Sequence, residues 1–283
     1  MAVCWRLDEY SIEAADGACV ARLKCAAPEG LDWFTRILED SFPGCGVEAA
    51  GRPRRGGLLE LVSVIDIQGK FTATQLRQLD DLLALHAECL TIEDGLDESH
   101  ALGYHTEEDD LTAGLRRTAL GELVYRAKYR SDAQARSQVV DLFGRFVSQH
   151  PRYDAAAAVA AVPPHSSSSR PGLSRHLATG LAASGMHVIP IRRVADRPQQ
   201  KDITAVDRLE GVRLRQRNQR GSMEVPMKLS GEAVIVVDDL YGSGGSTGEA
   251  ARSLRQAGAG CVLGLAASKQ RLFGAVSLGR RGW

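Results

Sequence analysis

Two adjacent aspartates, Asp238 and Asp239, follow a run of four β-branched residues and precede a loop of glycine, serine and threonine. The run 234–237 predicts a strand that is buried on both faces, as in a parallel sheet. The aspartates would then lie at the carboxyl end of that strand, where open α/β sheets bind their ligands. Residues 241–247 lead into a predicted helix, 248–257, so backbone N–H groups and the positive end of a helix dipole converge on one point. This pattern indicates a site for a phosphate group.

The composition limits the classes of protein to which the chain can belong. Its 283 residues leave room for one large domain or two ordinary ones. Lys+Arg and Asp+Glu both total 35, which argues against a general binder of nucleic acids or membrane surfaces. The amino terminus has no signal-peptide pattern, and the most apolar run, 155–164, is too short to cross a bilayer. We therefore expect a cytoplasmic protein with no membrane partner.

Cysteines and histidines are the other residue types that could bind a metal. The six cysteines form no Cys-x-x-Cys pair, so we expect buried, reduced thiols. Residues 93–110 contain eight acidic residues and no Lys or Arg, which indicates a solvated linker or an exposed loop. His100 and His105 lie in this segment and could bind a metal, but their spacing is not that of ligands on a helix. Surface histidines are the favoured interpretation.

The amino-terminal part of the chain alternates strand-like and helical patterns. Its predicted elements are a half-buried strand 19–25, a helix beginning at Pro28, a basic turn-rich loop 51–57, a strand 58–67 and a helix capped by Thr74. We predict a smaller N-terminal α+β domain over 1–110, ending in the acidic linker.

The remainder, 111–283, predicts an α/β domain with a mostly parallel sheet wound with helices. The predicted helices are 111–129, 132–148, one beginning near Pro171 and 248–257, and the predicted strands are 155–162, 186–191, 234–237 and 261–266. Between the second and third of these strands, residues 192–228 carry ten basic and five acidic residues. Such a segment could be a lid over a polyanionic ligand, or a solvated surface helix.

Residues 234–247 resemble the phosphoribosyl pyrophosphate (PRPP) signature of type I phosphoribosyltransferases, a strand followed by Asp-Asp-x-x-Thr-Thr-Gly-x-Thr. The residues that match it directly are Asp238, Asp239, Gly244 and Ser246. Ser243 replaces a threonine by another hydroxyl, whereas Gly242 stands where a hydroxyl is usual.

Further pieces, in matching order, resemble the competence-protein-F-like (ComF-like) phosphoribosyltransferases. They are Lys128-Tyr129, Val162-Pro163 with the later Arg170 and Leu173, the segment 200–208, and 218–221. The resemblance covers roughly 115–270. The four-cysteine zinc segment with which such proteins often begin has no counterpart here, so the role of the first hundred residues does not carry over.

The resemblance implies a type I phosphoribosyltransferase-like fold and a Mg²⁺-dependent transfer of ribose 5-phosphate from PRPP to an unidentified small acceptor, an amine or a base, with release of pyrophosphate. Asp238 and Asp239 would hold the ribose hydroxyls directly or through Mg²⁺, and Lys201 or Arg208 would close over the diphosphate. The implied contacts to the phosphates of the substrate are Tyr241, Gly242, Ser243, Gly244, Gly245, Ser246, Thr247, His165, Ser166, Arg170 and Lys128. A homodimer is a further possible partner arrangement.

Two hypotheses from other classes remain open. A non-catalytic sensor or adaptor could bind PRPP or a nucleotide and signal through residues 1–92. A nucleic-acid-handling role is a third hypothesis, because ComF-like proteins are linked with DNA uptake. The only basic patches for that role are 192–220 and the group Arg52, Arg54 and Arg55. We rank it last because the chain as a whole is neutral.

Overall fold

The computed structural model describes residues 3–15, 18–25, 28–42, 48–56, 60–109, 114–164, 172–194 and 208–271. The strands are β1 (Val3–Trp5), β2 (Glu9–Ala15), β3 (Ala18–Cys25), β4 (Glu48–Gly56), β5 (Glu60–Lys70), β6 (Leu90–Glu93), β7 (Glu98–Ala101), β8 (Thr106–Asp109), β9 (Gly114–Arg117), β10 (Ala158–Ala161), β11 (His187–Val188), β12 (Arg192–Arg193), β13 (Met223–Glu224), β14 (Ala233–Tyr241) and β15 (Cys261–Lys269). The helices are α1 (Pro28–Ser41), α2 (Ala73–Glu88), α3 (Ala119–Tyr129), α4 (Ala133–Gln149), α5 (Pro151–Asp154), α6 (Leu173–Ala182), α7 (Arg208–Gln219) and α8 (Gly245–Ala257).

The β-branched run at 234–237 lies in β14, near the middle of a seven-stranded sheet. The order of the strands in this sheet is β1-β6-β7-β15-β14-β10-β11. The pairs from β7 through to β11 are parallel, while β1 and β6 form an antiparallel edge. The predicted α/β class with a mostly parallel sheet is therefore confirmed.

Helices cover both faces of the sheet, as the continuous apolar run predicts. Ile235 and Val237 pack in one core with residues of α3, α4 and α6. Val234 and Val236 point to the opposite face and pack in a second core with residues of α8. Because successive side chains of a strand alternate between faces, all four residues are fully buried. The two aspartates follow this buried run in the carboxyl-terminal half of β14.

The interpretation of 93–110 as a solvated linker is wrong. Within this segment β7 pairs with β15 inside the main sheet, and all its residues are buried. The buried carboxylate of β7, Glu98, is paired within the protein, since it contacts Arg152 and two histidines. His100 is 1% exposed and is not a surface histidine, whereas His105 is partly buried.

A second, antiparallel sheet is formed by the amino-terminal strands, in the order β2-β3-β5-β4. Buried residues of β3, α1 and α2 pack into one core beside this sheet. The half-buried strand predicted at 19–25 and the helix start at Pro28 are confirmed. The prediction of a basic loop at 51–57 is wrong, because these residues belong largely to β4. The division of the chain at residue 110 stays a prediction, although β1 joins the main sheet through β6.

Several predicted boundaries shift for local reasons. Thr72, not Thr74, caps α2, because its side chain accepts a hydrogen bond from the Gln75 N–H in a reciprocal capping box. The helix predicted from residue 111 begins only at Ala119, after Thr118 has capped it. The free thiols in the described parts of the chain are Cys4, Cys19, Cys89 and Cys261, of which Cys19 and Cys89 are buried. None of the helices in those parts is both long and apolar enough for a bilayer.

Two helical glycines make a matched test of the packing. A Cβ atom at Gly121 would overlap the carbonyl oxygen of His105, whereas one at Gly144 would meet no atom of the described residues within 4 Å. We expect Gly121→Ala to lower the free energy of unfolding by about 1–3 kcal/mol. Gly144→Ala should raise it by up to about 1 kcal/mol, because alanine is the better helix former. Urea unfolding checks both, and equal effects of the two variants would contradict the close contact at Gly121.

Candidate functional site

The sheet reverses its direction of winding between β10 and β14. From β10 the chain passes through α6 to β11 on one side, and from β14 it passes through α8 to β15 on the other. The two strands are themselves neighbours and run parallel. In open α/β sheets, a crevice forms at the carboxyl ends of the strands on either side of such a point, and ligands bind there. Here those ends carry Pro163, Pro164 and the Asp238–Asp239 pair.

The two carboxylates at the end of β14 are held by different neighbours. Asp239 accepts a hydrogen bond from the Lys128 ammonium of α3, with Nζ and Oδ1 2.8 Å apart. Asp238 Oδ1 accepts one from the Asp239 backbone N–H at 2.8 Å and one from the Ser174 hydroxyl of α6 at 3.3 Å. The pair is therefore fixed by α3, α6 and its own backbone.

The positive charge near the pair does not balance it. Burial, and next the charge of Asp239, raise the pKa of Asp238 to about 7, while Lys128 and two hydrogen bonds oppose the shift. Burial alone would lower the pKa of Lys128, but its contact with Asp239 outweighs burial and raises the pKa. Lys128 is thus charged, whereas Asp238 is mostly ionised only above about pH 7. A cation or a set of hydroxyl donors in the crevice would complete the neutralisation.

The loop 242–244 leads from β14 directly into α8. Gly244 precedes the helix with φ 76°, and a Cβ atom there would overlap the Tyr241 hydroxyl, so only glycine fits. Within the described residues, no side chain caps this helix end. The first intrahelical bond runs from the Gly248 N–H to the Gly244 carbonyl, so the amides of 245–247 precede the hydrogen-bond ladder. These three amides therefore have no partner within the helix.

A buried tyrosine supports this loop from below. The Tyr241 side chain is 2% exposed, and its hydroxyl donates to Asp94 Oδ2 at 3.0 Å. Asp94 also accepts from the Ser99 hydroxyl and the Leu96 N–H. The Tyr241 side chain therefore positions the loop, and a substrate contact at this residue would have to come from its backbone. Sequence reasoning missed Asp94, because the acidic density around it indicated solvent.

The hydroxyls of the loop differ in their access to the crevice. Ser243 and Ser246 are partly buried, whereas Thr247 is almost fully buried. The two serines are therefore the better placed hydroxyl donors for a bound phosphate. Gly242 has space beside it, since a Cβ atom there would meet only Gln270 Oε1, at 3.8 Å.

The basic segment comes to the same crevice. Gln216 of α7 donates to the Ser243 carbonyl at 3.2 Å. Arg193 donates to the Pro163 and Pro164 carbonyls at 3.3 and 2.8 Å, and thereby fixes the chain where it leaves β10. Burial lowers the pKa of Arg193, although the charge of Asp238 partly opposes the shift. The sequence placed Arg193 in the basic segment 192–228, but no motif set it apart from the other basic residues there.

The described residues thus bring together Lys128, the Asp238–Asp239 pair and the loop with the start of α8. Four predicted site residues, His165, Ser166, Arg170 and Lys201, lie outside the described residues. Arg208 opens α7, but only its backbone is described. The lid therefore stays a prediction. Comparison of the chain with known family models and with curated proteins found no match.

The shifted pKa of Asp238 predicts a pH-dependent stability. Because this pKa is about 7 in the folded protein and about 4 in an unfolded chain, the folded state binds the proton more tightly. The free energy of unfolding should then fall as the pH rises between these values and level off above them. Asp238→Asn should remove this fall, so that it gains a few kcal/mol relative to the wild type at about pH 8 and little at about pH 4.

Urea unfolding at both pH values, with a chelator present, measures the difference. The exposed Asp141→Asn on α4 is the control and should change stability equally at both. A gain for Asp238→Asn that is the same at the two pH values would contradict the buried, proton-binding carboxyl.

Proposed function

We propose that this protein is a Mg²⁺-dependent phosphoribosyltransferase, which transfers the ribose 5-phosphate of PRPP to a small nucleophile and releases pyrophosphate. The observation that carries the proposal is the arrangement at the switch point of the sheet. There two aspartates at the end of β14 lie beside the uncapped amino terminus of α8. This geometry provides for an anionic group and a polyhydroxyl group at neighbouring positions, as a sugar phosphate requires.

The 5′-phosphate would bind at the start of α8. The amides of 245–247 would donate to its oxygens, and the helix dipole favours its charge. Ser243 and Ser246 would add hydroxyl donors, while Gly244 keeps the backbone close to the ligand. Gly242 offers no hydroxyl, so one donor that the resemblance leads us to expect is missing.

The aspartates would hold the ribose and act on the reaction at C1. In the transfer, the bond from C1 to the pyrophosphate oxygen breaks, and pyrophosphate leaves with the electron pair. The lone pair of the nucleophile then forms the new bond at C1. Positive charge develops on the ribose as the old bond breaks, and carboxylates near its hydroxyls stabilise that charge. Lys128 holds Asp239 in place, since its ammonium lies 2.8 Å from Oδ1.

The donor set suits Mg²⁺, which prefers carboxylate and phosphate oxygens. Asp238 and Asp239 would hold it, and the raised pKa of Asp238 shows that this carboxylate would gain from a nearby cation. When bound, Mg²⁺ supplies charge neutralisation for the leaving pyrophosphate. On the opposite wall, Arg193 fixes the carbonyls of Pro163 and Pro164 at the start of the predicted pyrophosphate loop. The roles of His165, Ser166, Arg170, Lys201 and Arg208 belong to the proposal.

Removal of one carboxylate charge should stop the transfer. With PRPP, Mg²⁺ and a panel of amine and base acceptors, the wild type should release pyrophosphate. Asp239→Asn should release it at least about a hundredfold more slowly, because it loses both the negative charge and its pairing with Lys128. Asp141→Asn, an exposed change of the same type on α4, should keep the wild-type rate. Wild-type release by Asp239→Asn would show that the assigned roles are wrong.

The same assay separates the sensor hypothesis from the enzyme. Calorimetry of PRPP binding in the presence of Mg²⁺ measures affinity without turnover. Tight binding by the wild type, with no pyrophosphate released for any acceptor, would favour a sensor or adaptor. The absence of both binding and release would contradict a PRPP site of either kind.

The loop offers a gain-of-function test. At Gly242 a serine has space and would restore a hydroxyl near the 5′-phosphate. We expect Gly242→Ser to tighten PRPP binding by up to about tenfold, the worth of one hydrogen bond to a charged group. Gly244→Ser is the matched control, since φ 76° and the Tyr241 hydroxyl exclude a side chain there. It should weaken binding, and calorimetry distinguishes the two. Weaker binding by Gly242→Ser would argue against a phosphate at this loop.

A further inference from the structure

Three histidines from distant parts of the chain meet in the interior, on the side of β15 away from β14. His86 lies in the last turn of α2, His100 in β7, and His150 between α4 and α5. All three are almost completely buried. Their ring centroids are 5.0, 5.4 and 5.7 Å apart, so each ring contacts the other two. The Thr91 hydroxyl lies between two of them, 3.2 Å from His86 Nδ1 and 3.5 Å from His100 Nδ1.

The ring nitrogens converge on one point. One nitrogen of each ring lies within 4.8 Å of one nitrogen of each other ring. A tetrahedral ion with metal–nitrogen distances of about 2.0–2.1 Å would hold its ligand atoms about 3.4 Å apart. Small rotations of the imidazole rings cover the difference between these separations.

A carboxylate orients two of the rings. Glu98 Oε1 lies 2.7 Å from His100 Nε2 and 2.6 Å from His150 Nε2, and Arg152 donates to Oε2 at 3.0 Å. Because a carboxylate oxygen accepts hydrogen bonds, the N–H of each ring belongs on Nε2. Nδ1 of His150 then carries a lone pair, whereas Nδ1 of His100 lies 3.5 Å from the Thr91 hydroxyl.

This leaves the buried Nδ1 of His150 with no hydrogen-bond partner among the described residues. The pattern in which a histidine donates one ring N–H to a carboxylate and offers its other nitrogen to a metal is common in metal sites.

We propose that His86, His100 and His150 bind one transition-metal ion of the Zn²⁺ class, as a structural site separate from the carboxylate pair. Three imidazole nitrogens suit Zn²⁺, Co²⁺, Ni²⁺ or Cu²⁺, and do not suit Mg²⁺ or Ca²⁺. The burial of all three ligands favours a structural role, in which a further group would fill the fourth position of a tetrahedral shell. The ion would join α2 to the main sheet and to the α4–α5 junction. The proposal does not depend on the proposed transferase activity.

Titration of the untagged, chelator-treated protein with Co²⁺ tests the site. Three nitrogen ligands in a near-tetrahedral arrangement should give a saturable visible absorption at one equivalent, and Zn²⁺ should abolish it. Zn²⁺ should also raise the melting temperature. His100→Gln and His150→Gln should each weaken Co²⁺ binding at least about a hundredfold, since each removes a ligand. Glu98→Gln should weaken it about 10–100-fold through the lost orientation of the rings.

His176→Gln is the matched control, because His176 is exposed on α6 and distant in sequence from the cluster. It should leave the absorption and its stoichiometry unchanged. If the ligand variants do not fold, the wild-type titration decides. A wild type with no saturable absorption and no shift in melting temperature would overturn the proposal, as would full Co²⁺ binding by folded His150→Gln.

Discussion

The ion pair between Lys128 and Asp239 allows a buried strand to end in two carboxylates at the crevice. A strand buried on both faces that ends in two carboxylates must find positive charge, because an unpaired buried charge costs several kcal/mol. Helix α3 supplies the ammonium at 2.8 Å, and α6 adds the Ser174 hydroxyl to Asp238. Asp238 keeps a raised pKa of about 7 even with these neighbours, because it is buried and lies beside Asp239. Asp239 thus takes part in a structural ion pair, and any ligand of the two aspartates belongs to the proposal.

The features of the site that arise locally could be predicted from the sequence. Consecutive β-branched residues fix β14 as a buried strand, and the glycines that follow fix the turn into α8. Gly244 illustrates this, since its positive φ and its contact with the Tyr241 ring admit no other residue. Lys128 was predicted only through a resemblance, because its partner lies 111 positions further along the chain. The phosphoribosyltransferase resemblance itself remains a prediction.

The features that were missed depend on contacts between distant segments. A run of acidic residues indicates solvent when it is considered alone, yet Glu98 is buried against Arg152, which lies 54 positions away. Asp94 is likewise satisfied by Tyr241, at a separation of 147 positions. Local composition cannot show such partners, because the folding of the sheet brings them together. The prediction that His100 lies at the surface was wrong for the same reason, because its burial depends on contacts with α2 and α4.

The turn between β6 and β7 links the two proposed sites. Asp94 lies near its beginning and supports Tyr241 beneath the phosphate loop, whereas Glu98 follows at its end and orients the histidine cluster. Both turn residues are attached to the same sheet, in which β7 pairs with β15 and β15 pairs with β14. Ordering of the cluster by a metal would therefore stabilise the support of the loop as well.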